Sequence, residues 1–150
     1  MKTFTAKGYT ATVIVDDKAA EKFGIPGFIP CAFIDETDEG PVITTTSGFY
    51  KLTKATQEII LTHEIGHLAL GHLKNTNPDE MTINARLEAE ADLWACGIVG
   101  FDAFDKAIFE ASAVTLDELA TAGYTLTNEI REQARTERNV RIANRKALVK

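Results

Sequence analysis

Two histidines four residues apart inside an unbroken helical pattern constrain this chain more than any other feature. The pattern begins at about Thr53 and runs to about Leu73, before Asn75, Asn77 and Pro78 break it. Within it stands His63-Glu64-Ile65-Gly66-His67, an H-E-x-x-H segment. Residues four apart in a helix share one face, so both imidazoles can reach a single ion while Glu64 stands beside them. That geometry suits a catalytic zinc, which takes three protein ligands and leaves one position for water. On the same helical wheel Leu61, Ile65, Leu68 and His72 gather on the other side, which predicts one face toward the core and one toward the ion. His72 itself reads as a partly buried histidine at the helix end rather than as a ligand.

The third ligand must come from a second element. Leu70 and Leu73 stand where a glycine and a further histidine would extend the motif to its three-histidine form. The chain has 3 histidines, all in this segment, so a carboxylate or, less readily, a thiolate has to complete the site. A second helix predicted from near Thr82 to Ile98, ending before Gly100, carries Glu88, Glu90 and Asp92. Glu88 and Asp92 are one turn apart, so Glu88 can bind the metal while Asp92 orients a histidine through its second ring nitrogen. Glu90 lies nearer the apolar stripe of Ile83, Leu87, Ala91, Trp94 and Ile98, and is the alternative ligand.

The rest of the chain reads as a single domain over residues 1–150, with strands first and helices afterwards, hence an α+β fold. Tyr9 to Val15 has strand character, Ala19 to Phe23 suits one helical turn, and Phe28 to Ile34 and Pro41 to Thr46 read as strands of a small antiparallel sheet joined through Asp35 to Gly40. After the second helix, Phe101 to Ala111 predicts a third, Thr115 with Glu118 a capping box for a short fourth, and Thr127 a cap for the last. No apolar run approaches the ~20 residues that span a bilayer, and Met1 to Thr10 lacks the features of a secretory signal, which predicts a cytoplasmic protein. Cys31 and Cys96 form no metal or disulfide spacing and read as reduced, buried thiols. The net charge of -6 argues against direct nucleic-acid binding. Residues 131–150 nevertheless carry seven Lys and Arg against Glu132 and Glu137, a basic terminal helix on an acidic body. It reads as a solvated appendage whose removal from about Arg131 should leave the metal site folded.

Two segments together carry a family resemblance. Thr62-His63-Glu64-Ile65-Gly66-His67-Leu68-Ala69-Leu70-Gly71-His72 and Glu88-Ala89-Glu90-Ala91-Asp92-Leu93-Trp94-Ala95 resemble the two helical runs of the ImmA/IrrE metallopeptidases. The second also resembles the second helix of gluzincin peptidases. The match covers roughly residues 42–97. Trp94 replaces the usual phenylalanine, and the usual continuation after Gly97 is absent. The resemblance implies a zincin-like fold, a Zn2+ cofactor and cytoplasmic cleavage of a specific protein, often a transcriptional repressor, here a separate chain. The basic last helix could dock that partner.

In the mechanism this implies, Glu64 takes the proton of the attacking water, and an oxyanion donor is needed besides. Tyr50 and Tyr124 are candidates by residue type alone. The strand Pro41 to Thr46, were it a sheet edge, could bind an extended substrate by strand addition. The rival readings are a zinc-stabilised pseudo-peptidase that holds a regulator without cutting it, and a metal amidohydrolase acting on a small molecule.

Overall fold

Two tight hairpins build most of the sheet in the computed structural model, which describes residues 2–18, 32–74, 84–121, 123 and 125–149. Strand β1 (Lys2–Ala6) turns into β2 (Tyr9–Val15) through Lys7 and Gly8. Both turn residues have positive φ, 49° and 84°, the conformation that matches the twist of the flanking strands. Strand β3 (Ala32–Thr37) turns into β4 (Gly40–Thr45) in the same short way, with the Thr37 hydroxyl donating to the Gly40 carbonyl at 2.7 Å.

The sheet order is β1-β2-β4-β3, and β2 runs parallel to β4, from Thr12 beside Val42 to Val15 beside Thr45. The sheet is therefore mixed, which corrects the antiparallel expectation. Hairpin signals report only on neighbours in sequence, whereas this pairing joins segments about thirty residues apart. The same topology removes β4 from the edge. Pairing on both sides covers Val42 to Thr45, so this strand cannot accept an added one; among the described residues the edges are β1 and β3. Pro41 is tolerated there because it precedes the first residue paired with β2.

Ala11 and Val13 of β2, Ile34 of β3 and Ile43 of β4 pack on Leu61 and Ile65 of helix α1 (Lys54–Ala69), with Phe49 and Leu52 closing one end. Full burial of each large apolar side chain contributes roughly 1.5–3 kcal/mol. Every residue from Leu61 to His67 is buried, so the histidine face is covered as fully as the sheet face. The N-terminus of α1 is held in an unusual way. The Thr53 side chain accepts from the Thr56 amide, but the acid that a capping box places three residues on is missing; Glu110 supplies it from another helix, accepting from the Thr53 amide at 2.7 Å.

Helix α2 (Ala85–Val99) starts at Asn84, whose side chain accepts from the amides of Arg86 and Leu87, and ends at Gly100 with φ 93°. Helix α3 runs unbroken over Phe101–Thr121. The expected pair of helices is one, because Ala111 to Val114 contains no breaker and the Thr115 hydroxyl donates back to the Ala111 carbonyl at 3.0 Å instead of capping. Helix α4 (Asn128–Leu148) is capped by Thr127, which accepts from the Ile130 amide.

Helix α4 is not a solvated appendage. Arg145 is only 2% exposed; its guanidinium forks onto Asp105 of α3 and lies 4.9 Å from the Phe101 ring centre. Arg138 covers Phe109 at 4.6 Å, and Arg141 binds Asp92 of α2. Three arginines at helical spacing thus form the docking face, meeting acids and aromatics where an ordinary helix would present leucines. No helix among the described residues is long and apolar enough to cross a membrane. Cys96 is buried, with its thiol pushed up to about 11 by burial. The readings made for residues 19–31, Asn75 to Ile83 and Tyr124 lie outside the described residues.

Candidate metal centre

Gly66 decides how closely the two site-bearing helices approach. A Cβ there would meet the Ala91 carbonyl oxygen and Trp94 Cε3 at 3.2 Å each and Ala91 Cα at 3.4 Å, so α1 and α2 touch nearly backbone to backbone. This contact lets the short Glu88 side chain span both histidines. Its Oε2 lies 3.2 Å from His63 Nε2 and its Oε1 3.2 Å from His67 Nε2. Ligand atoms from His63, His67 and Glu88 all fall within 4.8 Å of one another. Bonds of ~2.0–2.1 Å in a tetrahedral zinc site put ligand atoms roughly 3.4 Å apart, so these three side chains fit such an ion.

Around this triad sits a charged shell. His63 Nδ1 donates to Asp92 Oδ1 at 2.7 Å. Asp92 is fully buried, and Arg141 from α4 holds it with two bonds of 2.7 Å, Nε to Oδ2 and Nη2 to Oδ1. On His67 the second ring nitrogen, Nδ1, meets His72 Nδ1 at 2.9 Å. Glu64 is buried beside the triad, its Oε1 3.9 Å from His63 Nε2.

The protonation pattern follows from burial against neighbouring charge. Burial would strip the proton from His63, but Glu88 and Asp92 outweigh it and raise this imidazole to about 10. For Glu88 and Asp92 burial works against ionisation; the positive His63 and, at Asp92, the Arg141 fork win, holding Glu88 well below the usual carboxylate range and Asp92 at about 2. Glu64 is different, because burial dominates and pushes it up to about 8. One carboxylate is thus kept anionic, while in the other burial favours the protonated form well above the usual carboxylate range.

Of the residues singled out in the sequence, the structure brings together His63, Glu64, His67, Glu88 and Asp92. Glu90 stays outside, its Oε1 3.8 Å from both His72 Nε2 and Arg86 Nε. The Tyr50 hydroxyl donates to Thr45 Oγ1 at 3.2 Å, and no contact joins it to the cluster among the described residues. Arg141 escapes sequence reasoning, since it comes from 49 positions away with no local motif to mark it. His72 was visible as a histidine, but not its contact with His67.

The chain matches no protein-family model, no curated protein and no solved structure. The geometry of the site is what its chemistry has to be read from. Gly66 provides a direct check on that geometry. Gly66→Ala is expected to cost about 1–3 kcal/mol of stability through overpacking, and to weaken zinc binding by moving Glu88 off the histidines. Thermal unfolding with and without zinc, together with a zinc competition titration, measures both; wild-type values in the variant would show that the close approach is not what sets the ligand spacing.

Proposed function

We propose that this chain is a zinc-dependent endopeptidase of the ImmA/IrrE type, with a zincin-like arrangement, acting in the cytoplasm on a specific protein such as a transcriptional repressor. The observation that carries the reading is the triad of two buried histidines and the half-buried Glu88 on facing helices, with Glu64 beside it and outside the ligand set. A structural zinc site closes with four protein ligands, whereas three ligands and an adjacent base suit hydrolysis.

His63, His67 and Glu88 would hold the ion. When bound, zinc supplies Lewis acidity for the scissile carbonyl and makes the attacking water more acidic. Glu64 accepts the proton of that water and returns it to the leaving amine, completing peptide hydrolysis. Asp92 keeps the His63 Nδ1 proton in place and so presents Nε2 to the ion. Arg141 balances the charge of Asp92, so the anion persists in a buried position.

The test is incubation of the zinc-loaded chain with repressor proteins encoded beside its gene, followed by intact-mass analysis. One discrete cut, abolished by a chelator and restored by zinc, is the expected result. Tight association with a repressor that stays whole would overturn the peptidase reading in favour of a regulator-binding module. Turnover of a small amide without cleavage of any protein would overturn it in favour of an amidohydrolase.

A further inference from the structure

The end of α1 is a Schellman motif, and its two defining positions are histidines. The His72 amide donates to the His67 carbonyl at 2.9 Å and the Gly71 amide to the Leu68 carbonyl at 3.2 Å, while Gly71 takes φ 75°. In this motif the residue after the left-handed glycine folds back onto the residue five before it, normally as an apolar contact. Here the folded-back pair is His72 on His67, ring centres 5.1 Å apart, with both side chains buried.

The proton inventory then follows from geometry. His67 turns Nε2 toward Glu88, so an ion held there takes the Nε2 lone pair and leaves the ring proton on Nδ1. A buried N–H requires an acceptor, and the partner His67 Nδ1 has among the described residues is His72 Nδ1, at 2.9 Å. His72 must therefore offer its Nδ1 lone pair and carry its own proton on Nε2, on the side of Glu90 Oε1 at 3.8 Å. His63 has an anion as its orienting partner, and His67 has a neutral imidazole.

We propose that His72 is a positioning residue that fixes the tautomer and angle of His67 and thereby aims its Nε2 at the metal. The inference rests on the metal-centre reading above. It assigns a role to the Gly71-His72 pair that the H-E-x-x-H segment alone does not contain: the glycine makes the chain reverse, and the reversal delivers the acceptor.

Two variants of the full chain separate this role from packing. In His72→Asn the side-chain oxygen can stand where Nδ1 stood and accept the same proton; in His72→Leu the volume is filled but no acceptor remains. Zinc affinity, measured by competition with a chromophoric chelator, should fall about 10–100-fold in His72→Leu and stay within about threefold of wild type in His72→Asn. Cobalt(II) substituted for zinc should show altered d–d bands in His72→Leu alone. Equal affinity losses in both variants, or none in either, would overturn the inference while wild-type zinc binding leaves the metal centre standing. A wild-type chain that binds no zinc would overturn both. Should either variant fail to fold, long-range ¹H–¹⁵N spectra of the zinc-loaded wild type give the answer directly: protons on His67 Nδ1 and His72 Nε2 are required, and a proton on His72 Nδ1 sinks the idea.

Discussion

Replacing Glu64 by glutamine is expected to leave zinc content and fold intact while slowing cleavage of the protein substrate by about 10²–10⁴-fold, the usual contribution of a general base. Glutamine keeps the size and polarity of the side chain and loses only the ability to accept a proton. Because burial already pushes Glu64 up to about 8, the metal-free chain carries it largely neutral at pH 7, and the neutral amide is a close mimic of that state. Stability should accordingly change little. Binding of the uncut substrate should persist, which separates chemistry from recognition. Zinc analysis beside a cleavage time course makes the comparison; a variant that cuts at the wild-type rate would end the proposed mechanism even with the metal site established.

The second large effect is expected at the other end of the chain. Removing residues 128–150 takes away Arg141 and Arg145 together and leaves Asp92, fully buried, and Asp105 without their partners. Breaking a buried ion pair from one side typically costs about 3–5 kcal/mol, and the one-third exposure of Arg141 places its share toward the lower end. Asp92 without its counter-ion is a poorer orienting group for His63, so zinc affinity should fall along with the melting temperature. This reverses the expectation from charge alone, that the basic segment could be deleted without harm. Arg141→Met, which keeps the stem and loses the charge, should reproduce much of the loss, and the pair Arg141→Met with Asp92→Asn should recover part of it. A truncated chain that melts and binds zinc like the full one would show that α4 contributes nothing to the centre.

How far the sequence alone reaches depends on the range of the interaction. Tyr9 to Val15 is a strand to the residue, Thr53, Thr127 and Gly100 end helices where their side chains or φ freedom say they should, and the spacing of Glu88 and Asp92 foretells their meeting with the histidines. Each of these is decided within one or two turns of backbone. The parallel pairing of β2 with β4, the cap that Glu110 provides for Thr53 57 positions away, and the Arg141–Asp92 fork are decided by tertiary contact, and no periodicity announces them. In the sequence the arginines are indistinguishable from solvent-facing charge; their alternation with acids and aromatics on α3 appears only once the helices are laid together. The single helix α3 shows the converse error, a local cap signature overruled by a continuous helix on either side.

The fork between Asp92 and Arg141 also sets an order of events during synthesis. Asp92 leaves the ribosome 49 residues ahead of its partner. At roughly 5–20 residues per second, that interval is about 2–10 s, during which the sheet, α1 and α2 can already assemble. Throughout that time the orienting carboxylate faces His63 without its arginine partner. A nascent chain therefore passes through a stage with both histidines and Glu88 made but their support missing, and the proposed metal site reaches its full arrangement only with α4.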